Sequence, residues 1–126
     1  MREIQIFLED YDRVVIEKNF QKISTHFYDQ FTLSTPTDCW NIINNHEFLA
    51  NLKKSFDRYK QLGAKICKMM AADIINFKSS HYLANVEWAL LDDEDMPIVR
   101  FDISYLIKNI RNEWKFIFVI DHNEPK

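Results

Sequence analysis

Four charged residues in the last third of the chain are of the types that a two-acid catalytic site needs. They are Glu87, Arg100, Asp102 and Asp121. An arginine held between two carboxylates can drive their pKa values apart, because a positive charge favours the ionised form of a nearby acid. One acid is then available as a proton donor and the other as a base. If these side chains meet on one face of a sheet, general acid–base chemistry is the hypothesis that they support.

Three strand-like runs carry these residues, at positions 81–91, 97–107 and 114–122. In each run large apolar residues alternate with smaller or polar ones, which is the period of two expected of a strand. We expect four-residue loops at 92–95 and 109–112 to join the runs as hairpins. In that register Arg100 lies between Glu87 and Asp121 on adjacent strands, with Asp102 two residues along.

The same register separates the residues of the three strands into two faces. The predicted helix-facing side carries Tyr82, Ala84, Val86, Trp88, Leu90, Val99, Phe101, Ile103, Tyr105, Phe116, Phe118 and Ile120. The predicted outer face carries Leu83, Asn85, Glu87, Arg100, Asp102, Ser104, Ile117, Val119 and Asp121. Since the first set is so strongly apolar, we expect the helices to cover that side. The charged row is then favoured as a cross-strand ion-pair ladder on the outer face, with catalysis as the alternative.

The residues before position 64 predict three helices and one strand. Apolar residues from Ile4 to Val15 recur at helical spacing, which predicts a first helix over about residues 2–18. A short second helix follows the capping residue Asn19, with Phe20, Ile23 and Phe27 facing inward, and a strand over 31–35 stops at Pro36.

Two residues at capping-box spacing, Asn44 and Glu47, predict the start of a third helix. Gly63, the only glycine, stands where a left-handed residue would end that helix. The next run, 64–77, is long enough to predict a strand that is bent or bulged near residues 70–72. Residues 1–126 therefore read as one α+β domain, with three N-terminal helices packed on a strongly curved, mostly antiparallel sheet.

Composition argues against several classes of function. The formal net charge is −3 and no basic stripe is present, so a nucleic-acid partner is not expected. No apolar run reaches membrane-spanning length and the chain opens on an amphipathic pattern rather than a signal peptide, so the cytoplasm is the expected location. Cys39, Cys67 and the scattered histidines lack metal-ligand spacing, and both thiols are expected to be buried and reduced. We predict no metal site and no cofactor.

The order of these elements resembles the superfamily that includes nuclear transport factor 2, ketosteroid isomerase and the SnoaL-like polyketide cyclases. The resemblance covers the whole chain. It rests on three stretches of sequence: the opening pattern Leu8, Glu9, Asp10 and Tyr11, the Asn19, Phe20 junction with Phe27, and the closing strand Trp114 to Phe118. The fold implied is a cone-shaped α+β domain. Because this superfamily holds isomerases, cyclases, hydrolases, transport adaptors and proteins without a known role, the fold alone does not choose an activity.

Two activities implied by the resemblance can be compared with the residues present. Tyr11 is similar in position to the oxyanion-hole tyrosine of ketosteroid isomerases, but Thr35 stands where that family has its general base, an aspartate before the proline. Threonine cannot take a proton from carbon at neutral pH, so this isomerase mechanism lacks its base. The acid, arginine and acid set resembles the site of limonene epoxide hydrolase in composition, although the residue types are distributed differently over the strands.

A pocket between the helices and the sheet is the third hypothesis. Its predicted lining is aromatic: Tyr11, Phe27, Trp40, Phe56, Trp88 and Tyr105. Mostly apolar walls with a few polar tips suit a small apolar ligand, but the same rings could simply fill the core. We therefore expect either a binding protein for a small apolar molecule or a SnoaL-like isomerase, cyclase or hydrolase. A homodimer through the sheet is also expected, since Leu83, Ile117 and Val119 give the predicted outer face an amphiphilic character.

Overall fold

The computed structural model of the chain describes residues 2–78 and 80–123. Its helices are α1 (Arg2–Ile16), α2 (Phe20–Ser24) and α3 (His46–Gln61), and its strands are β1 (Phe27–Ser34), β2 (Cys39–Ile43), β3 (Ile66–Lys78), β4 (His81–Leu91), β5 (Pro97–Ile110) and β6 (Glu113–Asp121). The strands form one sheet in the order β2-β1-β6-β5-β4-β3. The β1–β6 pair is parallel and the other pairs are antiparallel. The predicted α+β class and the curved, mostly antiparallel sheet are confirmed.

The apolar stripe of α1 packs on one side of the sheet, which becomes the core. Ile4, Leu8, Val14 and Val15 are almost wholly buried, as their helical spacing predicts. The core residues of α1 meet Ala84, Val86, Trp88, Leu90, Tyr105, Ile107, Phe116 and Val119 from the sheet. We call this the helix-facing side.

Two local predictions before α3 were wrong. Phe27 opens β1 instead of belonging to α2, which ends after five residues at Ser24. β2 was missed, because it has only five residues between the polar stretches 34–38 and 44–47, and because it is an edge strand with a partner on one side only.

The third helix begins one residue later than the capping-box spacing predicted. Asn45 caps α3, and its side-chain oxygen accepts hydrogen bonds from the backbone N–H groups of Glu47 and Phe48 at 3.0 and 3.2 Å. Asn44 instead donates its amide to the carbonyl oxygens of Ser24 and Phe27. It therefore ties the end of β2 to the α2–β1 junction.

Gly63 follows the end of α3 with φ at +94°, as predicted for a left-handed terminator. A Cβ there would lie 3.8 Å from Cδ1 of Ile98, an ordinary contact, so backbone strain is the main cost of a side chain. We expect Gly63→Val to lower the free energy of unfolding by about 1 kcal/mol or more. Gly63→Asn is the control, since asparagine tolerates this conformation better. Equal losses for the two variants in urea unfolding would contradict this explanation.

The two C-terminal hairpins differ from the predicted loops, and the difference moves the register. The β4–β5 loop has five residues, 92–96, so Glu87 lies opposite Asp102 and not opposite Arg100. The β5–β6 loop has only two, Arg111 and Asn112, both with positive φ as in a tight hairpin turn. The first shift is by two residues along the partner strand, which leaves the faces of β4 and β5 as predicted.

A β-bulge at Ile117 exchanges the two faces of β6. Ile107 pairs with Phe116 whereas Leu106 pairs with Phe118, which leaves Ile117 as an extra residue. Val119 is therefore buried on the helix-facing side, and Phe118 is only half-buried on the outer face. The predicted faces of Phe118, Val119, Ile120 and Asp121 were wrong for this reason. A bulge at Met70 in β3 agrees with the bend predicted there.

Candidate functional site

A cavity of about 140 Å³ lies between α1, α3 and the helix-facing side of the sheet. Its lining residues are Tyr11, Val15, Ile23, Leu52, Ser55, Phe56, Tyr59, Cys67, Trp88, Phe101, Ile103 and Tyr105. The inward residues of α3, such as Phe56, are only half-buried although they pack against the core. The helix thus covers the cavity without filling it.

The side chains of Trp88, Tyr105 and Tyr11 are hydrogen-bonded to one another at the buried end of the cavity. The indole Nε1–H of Trp88 donates a hydrogen bond to the hydroxyl of Tyr105 at 3.0 Å. The Tyr105 side chain is in turn hydrogen-bonded to Tyr11, and the two rings are 6.1 Å apart at an angle of 74°. Both tyrosines are nearly inaccessible to solvent. These contacts hold the rings in place while presenting hydroxyl groups in otherwise apolar walls.

Burial keeps the ionisable groups of this cavity neutral. It raises the pKa of both the Tyr59 hydroxyl and the Cys67 thiol to about 12. For the same reason the pKa values of Tyr11 and Tyr105 lie well above the ordinary tyrosine value. Removing these groups from water disfavours their charged forms. The lining therefore offers hydrogen bonds but no charge at neutral pH.

Four of the six residues predicted to line a pocket are brought together here: Tyr11, Phe56, Trp88 and Tyr105. Phe27 lies in the core beside the cavity, where its ring contacts those of Tyr11, Phe31, Phe48 and Phe116. Trp40 lies on the edge strand β2 opposite Leu33 and is 46% exposed. Its large ring suggested a lining role, but β2 is too far along the sheet for it to join the set.

Several lining residues were not assigned to a pocket from the sequence. Tyr59 belongs to the apolar stripe of α3, and that periodic signal could have indicated it. Cys67 was expected to be a small buried residue, which it is, whereas Cys39 is exposed. Phe101 and Ile103 follow the alternation of β5, but their nearness to α3 depends on how the sheet curves.

The structure divides the predicted catalytic residues between the two faces of the sheet. Glu87, Arg100 and Asp102 lie on the outer face, and Asp121 lies on the helix-facing side. On the outer face Arg100 Nη1 contacts Glu87 Oε1 at 2.8 Å, and the two side chains are 54% and 40% exposed. The pair is diagonal, because Ala89 and not Glu87 lies opposite Arg100. Asp102, opposite Glu87, is exposed on the same face.

Asp121 lies on the helix-facing side, away from Arg100. It pairs with Ile103, which lines the cavity. Its charge contributes to raising the pKa of Tyr59, although burial is the larger cause. The side-chain amide and backbone N–H of Asn123 both donate to Asp121 Oδ1. The structure thus places one carboxylate near the cavity and two on the exposed face.

A polar cluster on the outer face was not foreseen. The buried hydroxyl of Ser104 donates to Asn85 Oδ1 and lies 2.7 Å from Nε2 of His122. With its only proton directed to Asn85, Ser104 accepts the hydrogen bond from His122, so this ring does not serve as a base toward the serine. The cluster ties β4, β5 and the residue after β6 together. His122 thus lies on the outer face, opposite to its neighbour Asp121, because adjacent residues of an extended chain point to opposite sides.

Thr35, at the position of the missing base, has a structural contact. Its hydroxyl accepts a hydrogen bond from the backbone N–H of Asp38 at 3.1 Å, and its own N–H donates to the Asp38 carbonyl at 2.8 Å. Thr35 therefore closes the β1–β2 turn and does not line the cavity. Two carboxylates do act on lining residues. Beyond the effect of burial, Asp121 helps to raise the pKa of Tyr59, and Asp12, whose Oδ1 accepts a hydrogen bond from the Met69 N–H at 2.8 Å, helps to raise the pKa of Cys67.

The described ranges 2–78 and 80–123 contain neither a cluster of metal-ligating side chains nor a membrane-spanning helix. There, no three His, Cys, Asp or Glu side chains form a group suited to holding a metal ion. The helices in the same ranges are too short or too polar for any of them to cross a membrane.

Comparison with known proteins identifies the relatives of this arrangement. A crystal structure of an NTF2-like protein of unknown function from Shewanella oneidensis MR-1 has a TM-score of 0.76 and 17% identity, over 97% of this chain and 98% of that one. A protein of unknown function with a cystatin-like fold from Nostoc punctiforme PCC 73102 has a TM-score of 0.74 and 12% identity, over 98% and 90%. An NTF2-like protein of unknown function from Pseudomonas putida KT2440 has a TM-score of 0.76 and 9% identity, over 99% and 87%.

The TM-scores establish a common fold, and at identities of 9–17% no activity is carried over with it. The curated proteins include no match to this chain. A family model described as NTF2-like protein (DUF6841) matches residues 2–124, nearly the whole sequence. The predicted superfamily is confirmed, and the chain belongs to the NTF2-like family DUF6841.

Proposed function

We propose that this NTF2-like domain binds a small, neutral, mostly apolar molecule in the cavity beneath α3. The observation that carries the proposal is a cavity of about 140 Å³ whose walls are apolar except for hydroxyl, indole and thiol groups. A dry cavity of about 150 Å³ lined by apolar residues can hold benzene. A six-membered ring with one polar substituent, such as phenol or cyclohexanone, therefore matches the size and chemistry of this space.

Phenol and cyclohexanone are suitable probes for the first experiment. Binding is expected to shift the NMR resonance of the Trp88 indole N–H, because that group already takes part in the hydrogen bonds at the buried end. It should also slow the reaction of Cys67, a lining residue, with a small thiol reagent. The exposed Cys39 reports any direct effect of the probe on the reagent. No change at Trp88 and Cys67 up to millimolar probe would contradict the proposal.

A substitution that fills the cavity can be compared with the same substitution at the adjacent position outside it. Ser55 lines the cavity from α3, whereas the adjacent Lys54 is exposed and is not a lining residue. We expect Ser55→Phe to weaken probe binding at least tenfold, because the new ring occupies the ligand's space, and Lys54→Phe to leave binding unchanged. Circular dichroism verifies that both variants fold. Equal affinities would place the ligand elsewhere.

The pH dependence of binding follows from the pKa shifts. Tyr59 and Cys67 titrate only near pH 12 in the folded protein, so they stay neutral through the physiological range. Affinity for a neutral probe is therefore expected to be constant between about pH 6 and 9, well below those values. An affinity that falls across this range would mean that a charged group takes part.

The second candidate is an isomerase, cyclase or hydrolase of the SnoaL-like type. The specific observation in its favour is Asp121, which the bulge at Ile117 turns toward the helices and whose charge reaches Tyr59. A carboxylate there could exchange a proton with a bound ketone or epoxide. Asp121→Asn should then abolish turnover without affecting probe binding, whereas Glu87→Gln on the outer face should leave turnover unchanged. Loss of turnover in Glu87→Gln would restore the outer charged row as the site.

A further inference from the structure

The helix α3 is attached to the rest of the domain less firmly than α1. Both helices are amphipathic, and α1 buries Ile4, Leu8, Tyr11, Val14 and Val15. None of the 16 residues of α3 is buried, although its inward side chains pack against the core. Because so little of its apolar surface is removed from water, moving α3 away from the sheet costs less free energy than moving α1.

Polar contacts do not fasten α3 to its neighbours. Its side-chain hydrogen bond, from Arg58 to the Ser55 hydroxyl at 3.3 Å, stays within the helix. Among the described residues, no side chain of α3 forms a hydrogen bond or ion pair with the sheet or with another helix. In α1, by contrast, Asp12 accepts the backbone N–H of Met69 at 2.8 Å, which joins that helix to β3. Within the described part of the chain, apolar contacts therefore hold α3 in place.

These apolar contacts differ between the two halves of α3. Near the start of the helix, the Phe48 ring lies 5.2 Å from each of the buried rings of Phe27 and Phe31. In the second half, the Phe56 ring lies 5.2 Å from Phe20, which is half-buried on the short helix α2. This second half also covers the cavity. The start of α3 thus rests on the packed core, whereas its second half lies over open space.

The connections at the two ends of α3 match this difference. Before the helix, two hydrogen bonds from the Asn44 side-chain amide, at 2.8 and 3.0 Å, fix the entering chain. After the helix, Leu62 is 59% exposed and Gly63 has a φ of +94°. Glycine changes its backbone conformation at little steric cost. The chain is fixed again where the N–H of Lys65 donates to β4 at 2.7 Å.

We propose that α3 is a hinged lid, which pivots near Asn45 and lifts its second half to admit a ligand to the cavity. A helix of 16 residues is about 24 Å long, so a rotation of about 15° moves its far end by about 6 Å. The entrance then opens between Phe56 and Phe20. A bound ligand adds contacts with Phe56 and Tyr59 in the closed state, so it holds the lid shut. Closure on a ligand rests on the proposed function, but the motion of the lid can be measured without one.

Cys67 can report the opening of the lid. It is 7% exposed on β3 and lines the cavity, and Cys39→Ser makes it the only thiol of the chain. Dithionitrobenzoate, a two-ring thiol reagent, is too large for a space of about 140 Å³ and reacts with Cys67 when the cavity opens. We expect this rate to rise less steeply with urea than the unfolding equilibrium followed by circular dichroism, because lifting one helix exposes little surface. Equal urea dependences would overturn the lid, since Cys67 would then be exposed by global unfolding.

A truncation at the entrance tests which half of the helix moves. Phe20→Ala removes the ring that Phe56 contacts without changing a residue that lines the cavity. In the absence of urea it should speed the reaction of Cys67 about tenfold or more, because the closed state loses that contact. Phe77→Ala is the control, since it makes the same change at a position that is 52% exposed on β3, and it should leave the rate unchanged. A Phe20→Ala protein that reacts at the wild-type rate would contradict the proposed entrance.

Cyclohexanone separates the lid from the proposed function. At a concentration of about 100 times its dissociation constant, it should slow the reaction of Cys67 about a hundredfold if it binds the closed state alone. Binding detected at the Trp88 indole without slower reaction would overturn the lid and keep the proposed function. A shallow urea dependence without binding of the probe would support the moving helix and reject the proposed ligand.

Discussion

Val119→Asp is expected to lower the free energy of unfolding by about 3–5 kcal/mol, enough to unfold much of the protein. Val119 is 6% exposed and faces the helices, where a carboxylate would have neither water nor a cation beside it. An uncompensated buried charge carries a cost of this size. Urea unfolding followed by circular dichroism measures the loss, and recovery at a pH low enough to protonate the new carboxyl would identify its cause.

Phe118→Asp is the comparison, because Phe118 is the preceding residue and lies half-buried on the outer face. Its carboxylate can reach water, so we expect a loss of about 1 kcal/mol, mostly from lost packing. Both variants should be measured at the same protein concentration. The straight alternation without a bulge at Ile117 predicts the opposite order. If Phe118→Asp proved the more damaging variant, the structure's assignment of the β6 faces would be wrong.

Phe116→Ala is expected to be the most destabilising simple truncation, at about 3–5 kcal/mol. Phe116 has no solvent exposure. Its ring lies 5.0 Å from Phe7, 4.8 Å from Tyr11, 5.0 Å from Phe27 and 4.5 Å from Tyr105, measured between centroids. Removing it leaves a void where α1, β1 and β5 meet, and the surrounding rings cannot all move in to fill it.

Phe77→Ala provides the matched control for that truncation. Phe77 lies near the end of the edge strand β3 and is 52% exposed. The same change in side chain should therefore lower the free energy of unfolding by less than about 1 kcal/mol. Chemical denaturation of both variants gives the comparison. Losses of similar size would mean that Phe116 is not the centre of the core.

Local patterns were sufficient for much of the fold. The spacing of apolar residues predicted α1 and its buried side, the Asn44 and Glu47 pair predicted the start of α3 to within one residue, and alternation predicted β4, β5 and most of β6. Gly63 marked the end of α3 because a single backbone conformation makes glycine preferable there. The α+β class followed from the order of these elements, since the apolar side of the sheet needed the helices to cover it.

The residues of the candidate site could be predicted only in part from local sequence patterns. Tyr11, Phe56, Trp88 and Tyr105 were selected because large rings on inward positions meet wherever helices cover a sheet. Trp40 has an equally large ring, but its strand is at the sheet edge. Composition does not encode where a strand stands in the sheet order. The space left beneath α3 likewise depends on how closely the helix approaches the sheet, which no residue type reports.

The sequence alone determined α1, α3, the strands β3 to β6 and the apolar character of the side that packs against the helices, because each depends on residues close in the chain. Only the tertiary structure decided which charged side chains meet. A two-residue turn at Arg111 and Asn112 and one extra residue at Ile117 moved Asp121 from beside Arg100 to the helix-facing side. Side chains alternate along a strand, so a single inserted residue reverses every face beyond it. The bulge is part of the long-range pairing of β5 with β6, and it places Val119 among the buried residues of the core.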